Sequence, residues 1–293
     1  MGILLGLLTA VSWGGSDFIA RFVAHRIGTL RTTLYMQFLG FLLLTFSLRW
    51  FGGWGHLTDG SGWQPWAWGV LAGTINAVST LSLYRSFEIG KLAVVAPLSA
   101  AYPALTLLLS FLTGERLTRA RAVGIALILL GAIIVARGEA SARKESGSSQ
   151  EEENAGSAIV WALGSTLGFG VLFWLLGHFV VPRVGYASTV WMIRLTSSVL
   201  TAFVILLAKQ PISLPREGTV PGFLLCMGVF DTGAFLMNNR GMQIEQVSVV
   251  SVLASLYGAV TVALAAIFLH EHLSRCQWVG IVALFVGICL ISR

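Results

Sequence analysis

The stretch Gly114–Gly131, GERLTRARAVGIALILLG, returns 156 residues later as His270–Gly287, HEHLSRCQWVGIVALFVG. The offset sets Glu115 on Glu271, Leu117 on Leu273 and Arg119 on Arg275, then Val123-Gly124 on Val279-Gly280 and Gly131 on Gly287. Carried back towards the N-terminus, it sets Trp13-Gly14 on Phe169-Gly170, Thr33 on Thr189 and Met36 on Met192. One register held over that distance marks a duplication, with halves at residues 1–137 and 157–293. Between them, residues 138–156 (GEASARKESGSSQEEENAG) lack bulky apolar side chains, the composition of a flexible, solvated linker.

Composition gives the solvent of these halves. Of 293 residues, 56% are hydrophobic and 11% charged, with a mean hydropathy of +0.81. A soluble domain needs about 25% charged residues to cover its surface, so most of this surface faces lipid. Apolar runs long enough to cross a bilayer fall at Gly2–Phe22, Leu30–Trp50, Trp66–Tyr84, Leu92–Leu112 and Ala122–Ala136 in the first half. In the second they fall at Ser157–Gly177, Ala187–Ala208, Val220–Met237, Val247–Leu269 and Gln277–Ser292. Backbone in hydrocarbon must bond to itself, which selects helix. The short alternating segments of a barrel are missing from these unbroken runs. The fold expected is an all-α membrane protein with ten transmembrane helices as two five-helix repeats. An odd number per half makes the repeats inverted, a plan of secondary transporters that places the solute site between the halves.

Other classes are excluded by pattern. The formal charge is +6, but its Lys and Arg residues flank apolar runs and form no basic stripe for nucleic acid. Cys226, Cys276 and Cys289 have no metal-ligand spacing and read as small hydrophobes. The opening segment lacks a basic n-region and runs on into further spans, so it is the first helix and not a cleaved signal. No P-loop is present, which argues against direct ATP hydrolysis; no cofactor or metal is expected.

Residues 96–135 (APLSAAYPALTLLLSFLTGERLTRARAVGIALILLGAIIV) and 250–291 (VSVLASLYGAVTVALAAIFLHEHLSRCQWVGIVALFVGICLI) resemble the ends of two EamA-type units of the drug/metabolite transporter superfamily. The opening AVSWGGSDFIARF (residues 10–22) is similar to the start of such a unit. The resemblance implies ten transmembrane helices, both termini in the cytoplasm, a place in the inner (plasma) membrane, and transport of small metabolites, often amino-acid export. The partners expected are a small-molecule substrate and membrane lipid, with the chain acting as a monomer. The second half departs from the first: Leu256-Tyr257-Gly258-Ala259 lacks the proline of Tyr102-Pro103, so the halves are unequal where helices 4 and 9 would meet.

Charged groups inside spans are costly, by about 2.5–3.5 kcal/mol at the helix centre, and default to function. Arg194 and Asp231, on consecutive helices, either pair with each other or hold the carboxylate and amine of a zwitterion. Neutral polar residues within spans form a second group, Gln37, Asn76, Ser79, Thr80, Asn238 and Asn239, some lining a hydrated pathway and others bonding across helices, with Asn76 the preferred pathway residue. Trp13, Tyr84, Tyr102 and Tyr257 combine stacking faces with polar tips that suit a cavity. Asp17 and Arg21, four apart near the end of the first helix, read as a local pair or gate. Pro97 and Pro103 should bend the fourth helix, beside small-residue faces (Ala96, Ala100 and Ala104; Ala254 and Gly258) that allow close packing. Trp50, Trp54, Trp63, Trp66 and Trp68 read as an interfacial belt.

The function expected is therefore export of small polar metabolites such as amino acids by alternating access. A cationic drug exporter using Asp231 is the alternative, as is a lipid-handling scaffold using His270, Glu271 and His272. With Arg194 set aside, Lys and Arg divide 7 to 11 against the side of the N-terminus. That split opposes the positive-inside rule, so the cytoplasmic termini rest on the resemblance.

Overall fold

The computed structural model describes residues 1–114, 118–144, 149–212, 218–270 and 274–291. Glu115, Glu271 and His272 fall outside these residues. Among the described residues every regular element is helical. The first half holds α1 (Gly2–Ile27), α2 (Thr29–Ser47), α3 (Gln64–Ile89), α4 (Leu92–Ser99), α5 (Pro103–Leu112) and α6 (Arg119–Lys144). The second begins with α7 (Ser149–Leu175), which passes through a π turn, Leu176–Val180, into α8 (Val181–Val184). It continues with α9 (Tyr186–Leu207), α10 (Val220–Ile244), α11 (Val247–Ser255), α12 (Tyr257–Leu264) and α13 (Arg275–Ile291).

Seven of these helical stretches are long and apolar enough to cross a membrane. Ala122–Ile134 and Arg275–Leu290 are shorter apolar helices. α3 is long but more polar, burying Asn76, Ser79, Thr80, Ser82 and Ser86. The bundle is arranged for lipid: Leu4, Val11, Phe46, Val199 and Phe203 are exposed, whereas Thr9, Thr32, Gln37, Asn76 and Ser197 are buried. With lipid outside, packing and interhelical hydrogen bonds must hold the helices together, which favours small and polar residues inside.

The halves pack reciprocally. α1 lies against α10, and its repeat partner α7 lies against α3, the partner of α10. The Thr106 hydroxyl donates to the Gly170 carbonyl (3.0 Å), and that of Thr261 to Gly14 (3.4 Å). α6 and α13 cross backbone to backbone: a Cβ on Gly131 would sit 2.6 Å from the Gly280 carbonyl oxygen, and one on Gly287 2.6 Å from that of Gly124. Gly131→Ala and Gly287→Ala should therefore each destabilise the protein by about 1–3 kcal/mol through overpacking. Thermal unfolding in detergent checks this; two unshifted midpoints would show the contact to be loose.

Three expectations change. The repeat does not keep a single offset. Arg85 donates to Glu88 (2.9 Å) and Arg240 to Gln243 (3.0 Å), and Tyr102 matches Tyr257, all 155 residues apart. The slip falls in loops, where a residue more or less costs little. The kink, too, belongs to both halves. α4 stops at Ser99 and α5 starts at Pro103, but α11 also stops, at Ser255, with no proline at hand. Ala101 N–H bonds the Leu98 carbonyl and Leu256 N–H that of Leu253 (both 3.2 Å), the same tightened turn. In the second half the Ser255 hydroxyl donates to the Val252 carbonyl (2.7 Å), a side-chain bond that competes with the helix ladder. Finally, residues 138–144 and 149–156, placed in a flexible linker, are helical on both sides of 145–148. Polarity decides where a segment sits, and Ala, Glu, Lys and Arg are all good helix formers.

Candidate functional site

Four helices each turn an i, i+4 pair inward, since residues that far apart share a face. These are Trp13 and Asp17 on α1, Thr80 and Tyr84 on α3, Phe169 and Phe173 on α7, and Asp231 and Phe235 on α10. With Leu83, Tyr102 and Tyr257 they surround a cavity of about 30 Å³ between the halves, room for one or two waters. Its walls are aromatic. The Trp13 ring centroid lies 5.4 Å from Phe173, 5.2 Å from Phe235 and 6.2 Å from Tyr257, and Tyr102 lies 4.8 Å from Phe173.

Arg194 and Asp231 pair with each other. Arg194 Nη1 is 2.6 Å from Asp231 Oδ2 and donates to Gln37 Oε1 at 2.6 Å. Its guanidinium carbon stands 4.9 Å over the Phe235 ring. Arg194 is 0% exposed and takes no part in the cavity wall, whereas Asp231 does. The zwitterion clamp built on both residues is thus corrected: the arginine is committed to joining α2, α9 and α10. Gly40 makes this possible, because a Cβ there would come 3.0 Å from Arg194 Cδ.

Asp17 is the larger surprise. Read as half of a local pair near a helix end, it instead lines the cavity, only 5% exposed. Helix α1 runs on to Ile27, which moves Asp17 more than two turns inside. Among the described residues no hydrogen bond or ion pair holds its carboxylate. Arg21 donates to the main-chain carbonyls of Phe87 and Gly90, at the turn between α3 and α4.

Tyr102 donates to the Ser251 carbonyl (2.9 Å), while the buried Tyr257 hydroxyl has no partner among the described residues. Asn76 does not reach the cavity. Its amide donates to Ser197 Oγ (3.1 Å), which donates to the Gly73 carbonyl (3.0 Å), so it ties α3 to α9. Of the remaining candidates, Trp13 and Tyr84 line the cavity, Gln37 supports Arg194, and Pro97 and Pro103 flank the kink beside Tyr102. Phe173 and Phe235 were missed, for a Phe in an apolar span carries no signal of its own. The repeat held one: Phe173 lies 156 residues after Asp17.

The Trp cluster divides as well. Trp50 and Trp63 are strongly exposed, but Trp54 packs edge-on to Trp191 (5.1 Å) and the Trp66 indole donates to the Leu57 carbonyl (3.1 Å).

A model of the EamA-like transporter family matches residues 1–137 and again 156–293. An uncharacterized protein of Methanocaldococcus jannaschii is 31% identical over 134 residues, which cover 45% of this chain and 94% of that relative. That protein is about half as long as this chain. A solved structure described only as "Crystal structure of protein" superposes with a TM-score of 0.69 at 18% identity, covering 99% of this chain and 95% of the other. At that identity the likeness is one of fold.

Proposed function

We propose that this chain, which belongs to the EamA-like transporter family, is a secondary transporter of small amine-bearing metabolites such as amino acids. Like the family, it is a multi-pass membrane protein. The observation that carries the solute class is Asp17: a carboxylate in an aromatic-walled cavity with no described partner. An ammonium would neutralise it, and the surrounding rings favour a cation over their faces. The Tyr257 hydroxyl is free to donate to a carboxylate or carbonyl of the same solute. Arg194 is not asked to bind anything.

Alternating access is supported by the packing of α1 on α10 and of α7 on α3 and by a cavity lined from both halves, as expected of inverted repeats. Under this reading α3, α6 and α13 cross the membrane with the seven longer spans, giving ten. The kinked segments α4–α5 and α11–α12 meet across the junction; a Cβ on Gly258 would sit 2.6 Å from Ala100 Cβ. We place the chain in the inner (plasma) membrane as a monomeric exporter, both termini cytoplasmic.

Counterflow in proteoliposomes with a panel of amino acids, simple amines and amine-free acids tests the proposal. Amino acids and amines should exchange and the amine-free acids should not. Exchange by amine-free acids alone, or by nothing on the panel, would overturn it. A second reading, an organic-cation exporter, draws on the same Asp17, since among the described residues no basic side chain lines the cavity. Exchange of amines without amino acids would decide for it.

A further inference from the structure

One stripe of α10 runs from the cavity to the face at which α1 begins. Asp231 and Phe235 line the cavity. Asn238 follows within a turn, fully buried, its amide nitrogen 3.7 Å from the Met242 sulfur and its Oδ1 without a partner among the described residues. Met242 in turn lines a second hollow of about 450 Å³, bounded by Gly177 and Pro182 on one side and by Arg240 and Gln243 on the other. The positions 231, 235, 238 and 242 keep the spacing of one helical face, which places Asn238 between the cavity-lining Phe235 and the hollow-lining Met242. An unpartnered buried amide oxygen is costly unless water or a polar solute reaches it.

The corresponding place in the other half also has a hollow, about 460 Å³ and lined by Arg85 and Glu88, but the fully buried Phe87 does not line it. The Arg85–Glu88 and Arg240–Gln243 bonds align α3 with α10 at an offset of 155, so Leu83 stands where Asn238 does and Phe87 where Met242 does. α1 and α7 keep the offset of 156, so Arg21 stands where Gly177 does. Gly177 lines the hollow and is packed by Val247, whose Cγ2 would lie 2.3 Å from a Cβ there; Arg21 lays its guanidinium on the carbonyls of Phe87 and Gly90. One route is thus gated by an amide and has a mouth. The other is gated by a leucine and is plugged by a charged side chain.

We propose that the solute route from the cavity to the face at which α1 begins passes between α7 and α10, through Asn238, into the Gly177–Met242 hollow. Arg21 is the removable plug of the repeat-related route to the opposite face. The inference rests on the transport reading for its purpose. At the mouth, the Arg240 guanidinium lies 5.5 Å over the Tyr186 ring and donates to Gln243, a positive charge suited to the carboxylate end of a zwitterion.

The test is thiol accessibility and uses no solute. The exposed Cys226, Cys276 and Cys289 are replaced by serine, and Asn238→Cys or Leu83→Cys is added singly. The protein is reconstituted in vesicles of known orientation and exposed on each face to a membrane-impermeant trimethylammonium methanethiosulfonate. Labelling needs water, which lipid-facing and sealed positions lack. Asn238→Cys should react from the face at which α1 begins about tenfold faster than Leu83→Cys reacts from the other, and Arg21→Ala should raise Leu83→Cys labelling about tenfold. Equal rates at the two positions, or no response of Leu83→Cys to Arg21→Ala, would overturn the proposal. Should Asn238→Cys fail to fold, Met242→Cys, which lines the hollow on the same stripe, is compared with Phe87→Cys under the same expectation. Loss of solute exchange with labelling intact would instead count against the amine reading alone.

Discussion

Asp231→Leu should remove most of the folded protein. The substitution strands the Arg194 guanidinium, 0% exposed, with Gln37 as its one remaining described side-chain oxygen. Stranding one member of a buried pair costs about 3–5 kcal/mol, a large share of a total stability of about 5–15 kcal/mol. Arg194→Met should cost less, because Asp231 borders the cavity and water can reach it there. The double variant Arg194→Met with Asp231→Leu should recover most of the loss, since a buried pair replaced by apolar groups is close to neutral. Thermal unfolding in detergent across this cycle checks the order. If Asp231→Leu unfolds no earlier than the double variant, the pair does not hold the bundle. Transport measured on the folded double variant separates the second role of Asp231: loss there places its cavity-facing carboxylate in the solute path.

Asp17→Asn should do the reverse, sparing the fold and stopping the transport. A charge-assisted contact to an ammonium contributes about 1.5–3 kcal/mol, so amine exchange should fall roughly 10- to 100-fold. Stability should hold or rise, because an unpaired carboxylate in the interior costs more than a neutral amide of the same shape. Tyr257→Phe serves as the milder comparison, removing a hydroxyl that bonds nothing described in the protein itself. It should leave simple amines unaffected and weaken amino acids. Counterflow and thermal unfolding on the same preparations make the comparison. An Asp17→Asn protein that exchanges amines at the parent rate, or melts as early as Asp231→Leu, would return Asp17 to a packing role.

The contrast between these two aspartates is invisible along the chain. Each is an acid inside an apolar run, and the cost of burial marks both as functional without saying which is paired. Sequence proximity suggested Arg21 for Asp17, because four residues make a helical turn. Yet the guanidinium turned to main-chain carbonyls beyond the helix, where a long side chain satisfies open acceptors.

What the sequence alone determined was the class of solvent and the duplication. Both follow from composition and periodicity, which do not depend on how helices meet: few charges, long apolar runs, and glycines recurring at Gly124, Gly131, Gly280 and Gly287. It also marked Trp13, Tyr84, Tyr102, Asp231 and Tyr257, whose chemistry is unusual in an apolar helix. The tertiary structure decided which of them face one another. A helix presents every side chain to some neighbour, and only the crossing of α1, α3, α7 and α10 made a cavity of Asp17 and the phenylalanines. That same crossing took Asn76 and Arg194 out of it. It also showed the asymmetry of the two faces: Met242 lines a hollow at one, while at the other Arg21 bonds the carbonyl of its buried counterpart Phe87. A one-residue slip between the repeats, 156 in one place and 155 in another, had hidden those partners from any single alignment.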